Sequence, residues 1–249
     1  MGHDATGDEI ELDEIELVEI DDPSAHSALL HSVFDDVLRP SFDEDELPSV
    51  DLLMHGRSDG YEQTVIVASD DHGPAAAAVY GRQTHHPVGL LSYLAARPGE
   101  RGRGLGGRVL ARLTAIAVAS DVGVVLGEVH DPRFHAESED ERPRARLRFY
   151  ERHGARVLDA PFVQPRLSEG TERVRDMLLL VLHARPEVLS DGVPAEWIDR
   201  WCRTYFVDEE GSEPDDDEYR ALVGRWRGRD RVPVVPVSEF ESVQPLPRR

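Results

Sequence analysis

The stretch Arg97-Pro-Gly-Glu-Arg-Gly-Arg-Gly-Leu-Gly-Gly-Arg-Val-Leu110 constrains this chain more than any other. It crowds glycine and arginine between an apolar run, Val88 to Ala96, and a segment of helical periodicity. Glycines lack the Cβ that keeps an anion off the backbone, and they accept the positive φ that a tight loop demands. A helix start adds unpaired N–H groups and the positive end of its dipole. Arg101 and Arg103 can contribute charge-assisted hydrogen bonds. The stretch therefore reads as a nest for phosphate oxygens. Two phosphate-binding patterns overlap in it. Gly102-Arg-Gly104-Leu-Gly106-Gly107 fits G-x-G-x-x-G, and Arg101-x-x-Gly104-x-Gly106 fits [RQ]-x-x-G-x-[GA].

Composition narrows the setting. The 249 residues are enough for one sizeable core with a small appendage. No apolar run approaches the ~18 residues of a membrane span, and the acidic N-terminus is unlike a secretory signal. The single cysteine, Cys202, excludes an internal disulfide. A cytoplasmic protein is the expectation. The formal charge is −21 and every basic residue is arginine. A basic partner would explain that charge, but acids spread along the whole chain fit better with the solvated surface of a salt-loving organism. A haloarchaeal or actinobacterial source is the matching expectation. Nucleic acid is disfavoured because the arginines lie among acids rather than on a basic stretch.

Residues 1–13 read as an acidic lead-in. Glu14 to Ile20 alternates apolar and acidic residues, a strand with one wet face. A helix is expected from Asp22 until Pro40, and a weaker one around Leu47 to Met54. Thr64–Ala68 and Ala75–Tyr80 form a hairpin across Ser-Asp-Asp-His-Gly-Pro, and Val88–Ala96 feeds the glycine loop. Leu105 to about Ser120 carries the apolar stripe Val109, Leu110, Leu113, Ile116 and Ala117. A strand over Val122–Val129, a polar insertion Asp131–Pro143 and a short helix Arg144–His153 follow. Two late strands, Arg156–Val163 and Arg173–His183, end this unit, the second almost wholly apolar and hence central. After Pro186 come helices over Ala195–Phe206 and Glu218–Trp226 and a proline-punctuated tail. The division is 1–13, 14–185, and a C-terminal helical extension over 186–249 docked on the core.

The order of these elements separates the two phosphate patterns. Glu128 lies about twenty residues beyond Gly107, where a dinucleotide fold would place its ribose-binding acid. Yet a dinucleotide strand runs straight into its first glycine, whereas Arg97-Pro-Gly-Glu-Arg intervenes here, and too few βαβ units follow. The second pattern fits the order as well. Arg101-x-x-Gly104-x-Gly106 before a long helix, followed by Arg148-Phe149-Tyr150-Glu-Arg-His-Gly154, resembles the GNAT N-acetyltransferases from about Ile15 to His183. That resemblance implies an α/β fold of α+β type, with a mixed central sheet of about seven strands and helices on both faces.

The resemblance also implies the chemistry. Acetyl-CoA would be the co-substrate and an amine the acceptor, with no nucleic-acid or membrane partner; a homodimer is compatible with it. The diphosphate would lie on Arg101, Gly102, Arg103, Gly104, Leu105, Gly106 and Gly107, and the thioester arm along the strand ending Leu94, Ala95 and Ala96. Tyr150 matches the tyrosine implied as acid toward the departing thiolate; the plainer alternative is an aromatic packed under its helix. Glu128 is the candidate base, against the alternative of an exposed strand-end acid, and His130 is the second choice, acting through water. Glu128-x-His130 with His135 matches no strong metal signature, so no metal is expected. His85-His86 reads as loop polarity. Transfer would be direct, since Cys202 lies far outside the motifs. A CoA-binding module without catalysis and a nicotinamide-dependent enzyme are the alternatives.

Overall fold

The computed structural model describes residues 15–247 except 43–45, 48, 55, 59, 137–141 and 168–169. The acidic lead-in 1–13 and the middle of the polar insertion lie outside the described residues. The strands are β1 (Glu16–Ile20), β2 (Arg57–Ser58), β3 (Tyr61–Asp70), β4 (Gly73–Gln83), β5 (Val88–Ala96), β6 (Val124–His130), β7 (Arg156–Gln164), β8 (Val174–Ala184), β9 (Val193–Pro194), β10 (Arg231–Val232) and β11 (Val234–Pro236). The α-helices are α1 (Ser27–Val33), α2 (Leu105–Ala119), α3 (Pro143–Arg152), α4 (Pro186–Asp191), α5 (Ala195–Glu210) and α6 (Asp217–Val223). Among the described residues no helix is long and apolar enough to cross a membrane.

Nine strands form one mixed sheet in the order β1-β3-β4-β5-β6-β8-β7-β11, with β2 beside β3. The apolar run of β8 does sit between two neighbours, β6 and β7, where both its faces are covered. The count exceeds the expected seven for two reasons. Arg57–Ser58 makes a two-residue bridge to β3, and Val234–Pro236 comes back from the C-terminal region to pair with β7. So the segment after Pro186 supplies helices and also a strand of the main sheet. The expected single helix before Pro40 is three pieces: a 3-10 turn over Pro23–His26, α1, and a wide turn over Phe34–Leu38. Asp22 caps it, its Oδ1 accepting from Ser24 N at 3.0 Å. The wide turn leaves both Val37 and Leu38 fully buried beside Val33. The weaker helix is a 3-10 turn, Val50–Met54.

Side-chain alternation sorts the core onto the two faces of the sheet. Leu91 of β5, Val125 and Val129 of β6, and Leu178, Leu180 and Leu182 of β8 face α2 and α3. Helix α2 covers that face with Leu105, Val109, Leu110, Leu113 and Ala117, all buried, each contributing about 1–3 kcal/mol through burial. The opposite face carries two separate clusters. One joins Tyr93 and Ala95 of β5 to α1 and its neighbours. The other joins Val124, Leu126 and Leu179 to Trp201, Cys202 and Phe206 of α5. A bulge at Ser92 separates their territories along β5.

Candidate active site

The β5–β6 pair is parallel, and its register stops at Leu91↔Gly127 although β5 runs on to Ala96 and β6 to His130. Beyond that point each strand keeps only its outer neighbour, β4 or β8. The sheet therefore opens into a wedge, with backbone groups of both strands facing the gap. Two cavities meet there.

The first, of about 420 Å3, lies between the end of β5, the glycine loop and α3. Gly102 and Gly104 hold φ of 88° and 82°, a conformation that needs glycine, and Gly104 caps α2 with no side chain over the helix end. Arg108 N is the first amide bonded back along the helix, to Gly104 O at 3.1 Å, so the amides before it have no intrahelical partner. Leu94, Ala95, Ala96, Arg101, Gly102 and residues 104–107 all line this cavity. Arg103 does not; its guanidinium is bonded to Glu100. Phe149 of α3 and His153, which caps that helix, close the far wall, and a Cβ at Gly107 would overlap the His153 ring. Tyr150 lines the same space. Burial, only partly offset by Arg146, pushes its phenol up to about 12. The hydroxyl therefore keeps its proton at neutral pH.

The second cavity, of about 550 Å3, fills the gap between the α1 cluster and the α5 cluster on the opposite face. Glu128 and His130, two residues apart on β6, both point into it. Arg146 lines both cavities, which places them side by side. Glu128 Oε2 accepts from Gln164 Nε2 at 2.6 Å and from Tyr205 Oη at 3.3 Å. Its Oε1 is buried and accepts no hydrogen bond among the described residues. Burial drives this carboxyl up to about 7; the bonds from Gln164 and Tyr205 pull the other way, and nearby Glu209 adds to the rise. The plainer view of Glu128 as an exposed strand-end acid does not hold. His130 stacks on His135 with ring centroids 4.1 Å apart. His86 also departs from expectation. It is buried at 4% exposure, accepts from Val88 N at 3.2 Å, and burial lowers it to about 4, so it is a neutral strut under β5.

Several residues here escape the sequence reading. Tyr205, Asp208 and Glu209 come from α5, Tyr61 from β3, Tyr93 from β5 and Gln164 from β7. The legible signals are faint: one amide at the end of the apolar strand Arg156–Gln164, and aromatic residues four apart on α5.

The geometry can now be set beside known proteins. The model of the acetyltransferase (GNAT) family matches residues 30–155, half of the chain. Among curated proteins none is detectably similar. A protein from Bacteroides thetaiotaomicron assigned to the GNAT family superposes with a TM-score of 0.55 at 23% identity, covering 77% of this chain and 99% of its own. This likeness shows the fold. A GNAT-family protein from Desulfovibrio desulfuricans gives 0.46 at 18% identity, over 68% and 99% of the two chains. The ribosomal-protein-S18-alanine N-acetyltransferase of Escherichia coli gives 0.44 at 16%, over 67% and 91%; these two looser overlaps carry no weight. The match of the family model over the glycine loop, α2, β6 and α3 is decisive: the chain belongs to the GNAT acetyltransferase family and is an acyltransferase.

Proposed function

We propose that the protein moves an acetyl group from acetyl-CoA directly to an amine held in the larger cavity. The observation that carries this reading is the wedge between β5 and β6, which joins a nest of free amides to an enclosed carboxyl. The residues fit the co-substrate. Helix-start amides and the positive-φ glycines offer donors for the diphosphate, Arg101 adds charge, and the open edge of β5 at Leu94–Ala96 suits an extended arm that carries amide groups.

The chemistry follows from the two titratable groups. An ammonium cannot attack a carbonyl, so a proton must leave the amine first. Glu128, ionised in part near neutral pH, takes it, directly or through a water shared with His130. The amine nitrogen forms a bond to the thioester carbon, the carbon–sulfur bond breaks, and sulfur leaves with the electron pair. Tyr150, still protonated, donates to that sulfur, and the second proton that the nitrogen sheds as the amide forms restores the tyrosine through water. No covalent enzyme intermediate is required. Cys202 is buried in the α5 cluster and burial raises its thiol well above the ordinary range.

The test is release of free CoA thiol from acetyl-CoA against a panel of amines. Turnover that falls with Glu128→Gln while acetyl-CoA still binds in calorimetry supports the reading. No turnover with any amine, alongside intact CoA binding, would favour a binding module. The lysine-free acidic composition supports a cytoplasmic enzyme of a salt-loving organism.

A further inference from the structure

The walls of the larger cavity carry more negative charge than one amine would answer. Glu128 lines it from β6 with an enclosed carboxyl, and Asp208 and Glu209, both exposed, line it from α5. Arg82 and Arg146 also line it; the Arg82 guanidinium is taken by Glu62 at 2.7 Å and by Ser120 O at 3.3 Å, and Arg146 stands where the larger cavity meets the loop cavity, beside Tyr150. Among the described residues Asp208 accepts only from the neutral amide of Gln83, at 2.9 Å. Glu209 has no hydrogen-bond or ion-pair partner among the described residues.

General acidity does not account for this, because the next residue is treated differently. Glu210 is held by Arg173 at 2.7 Å and by Arg166 at 3.3 Å, and Arg173 also reaches Asp216 and Glu218. Burial pushes Glu210 up, yet those arginines hold it below its ordinary value. Glu209, crowded by protein and by Asp208, is raised to about 7. One of two neighbouring carboxylates is neutralised by the protein; the other is exposed, lines the cavity and forms no ion pair among the described residues. Glu128 Oε1, enclosed and without a hydrogen-bond partner among the described residues, is a second and independent vacancy for a donor in the same cavity. Between them the walls are aromatic: Phe42, Tyr61, Tyr93, Trp201 and Tyr205. Such walls pack methylenes and attract cations over their ring faces.

We infer that the acceptor is a small amine bearing a second positive charge, with its reacting nitrogen at Glu128 and its other cation between Asp208 and Glu209. This rests on the acetyl-transfer reading and narrows it. Tyr205, which touches Glu128, lies one helical turn from Glu209, a rise of about 6 Å. The cavity volume, about 550 Å3, suits a free small molecule rather than a folded partner.

The experiment is thiol release from acetyl-CoA with α,ω-diaminoalkanes of increasing length, the matching n-alkylamines, and a lysine-containing peptide. The diamine of the right span should exceed its monoamine in kcat/KM by about tenfold or more. The double variant Asp208→Asn with Glu209→Gln should erase that preference through KM, with acetyl-CoA affinity in calorimetry certifying an intact fold. In the unaltered protein, an unreactive bis-quaternary alkane of the same span should compete with the amine about tenfold better than its mono-quaternary counterpart. Equal use of monoamines and diamines, equal inhibition by the two quaternary probes, a preference that survives the double variant, or turnover of the peptide alone would each overturn the inference while leaving acetyl transfer standing. Loss of the broader reading looks different: acetyl-CoA does not bind and no amine releases thiol.

Discussion

The two cavities beside the β5–β6 wedge are built from different material. The loop cavity is lined by two short stretches of chain, 94–107 and 146–153, and the positive-φ glycines and free helix-start amides belong to the first. The larger cavity draws on β3, β4, β5, β6, β7, β8 and α5, and its titratable groups come from several of these distant elements. A backbone nest is set by local φ, which glycine and a helix start dictate within a few residues. A side-chain pocket is set by which distant elements happen to pack together. The contrast predicts that damage to the first site reads out as binding, and damage to the second as rate, pH dependence and selectivity.

The largest effect belongs to the second cavity. Glu128→Gln removes the proposed base and should lower kcat by about 100-fold or more, with acetyl-CoA affinity retained. A loss of CoA affinity as large as the loss of rate would break the division between the sites. The same substitution should raise stability at alkaline pH. Glu128 titrates near 7 in the fold against 4.5 unfolded, so the folded state holds the extra proton between those values. Stability therefore falls as pH rises through that window, and Glu128→Gln should recover about 2 kcal/mol above pH ~8 and little below pH ~4. Thermal melts of both proteins at the two pH values check it.

Next comes the loop. Gly104 sits at φ 82° with open space where a Cβ would go, so the Cβ of a valine there meets no other atom of the described protein. It instead strains the backbone by about 1–2 kcal/mol and occupies the cavity. CoA binding in calorimetry should weaken by about 10–100-fold, while the preference among amines stays put. A changed amine preference would show that the cavities are not separable in this way. Tyr150→Phe should then reduce kcat by about tenfold and spare CoA affinity, because the ring that lines the cavity remains. Rates equal to the parent's would remove Tyr150 from the transfer step.

How much of this was legible follows the same divide. The glycine loop, α2 and the segment Arg148–Gly154 announce themselves because each motif is contiguous, and β8 declares its central place by its apolar run. Residues Tyr205, Asp208 and Glu209 lie outside the family match at 30–155, on a helix whose docking depends on Trp201, Cys202 and Phe206 meeting β6, β7 and β8. Nothing local to α5 tells that Asp208 and Glu209, exposed as they are, line a cavity shared with β6. Strand β11 was hidden for a related reason: three residues, Val234–Pro236, carry too little pattern to declare a strand until β7 offers an edge. Arg103 shows the opposite limit, a correct residue type in a correct motif whose charge is spent on Glu100.

The finest test of the comparison is Tyr205→Phe. Tyr205 Oη gives Glu128 Oε2 a 3.3 Å hydrogen bond, weaker than the 2.6 Å bond from Gln164, and both favour the ionised carboxylate. Deleting the hydroxyl leaves the ring, which stacks with Phe162 at 6.5 Å between centroids, so the packing of α5 on β7 should persist. The midpoint of the rise of kcat/KM with pH should move upward, since burial then opposes ionisation with one donor fewer. Gln164→Leu should move it further in the same direction, as the shorter bond is the larger opposing influence. If α5 were only a cover over the sheet, the tyrosine variant would leave the pH profile where it was. A shift with unchanged CoA affinity would show instead that a helix beyond the family match tunes the group that removes the proton.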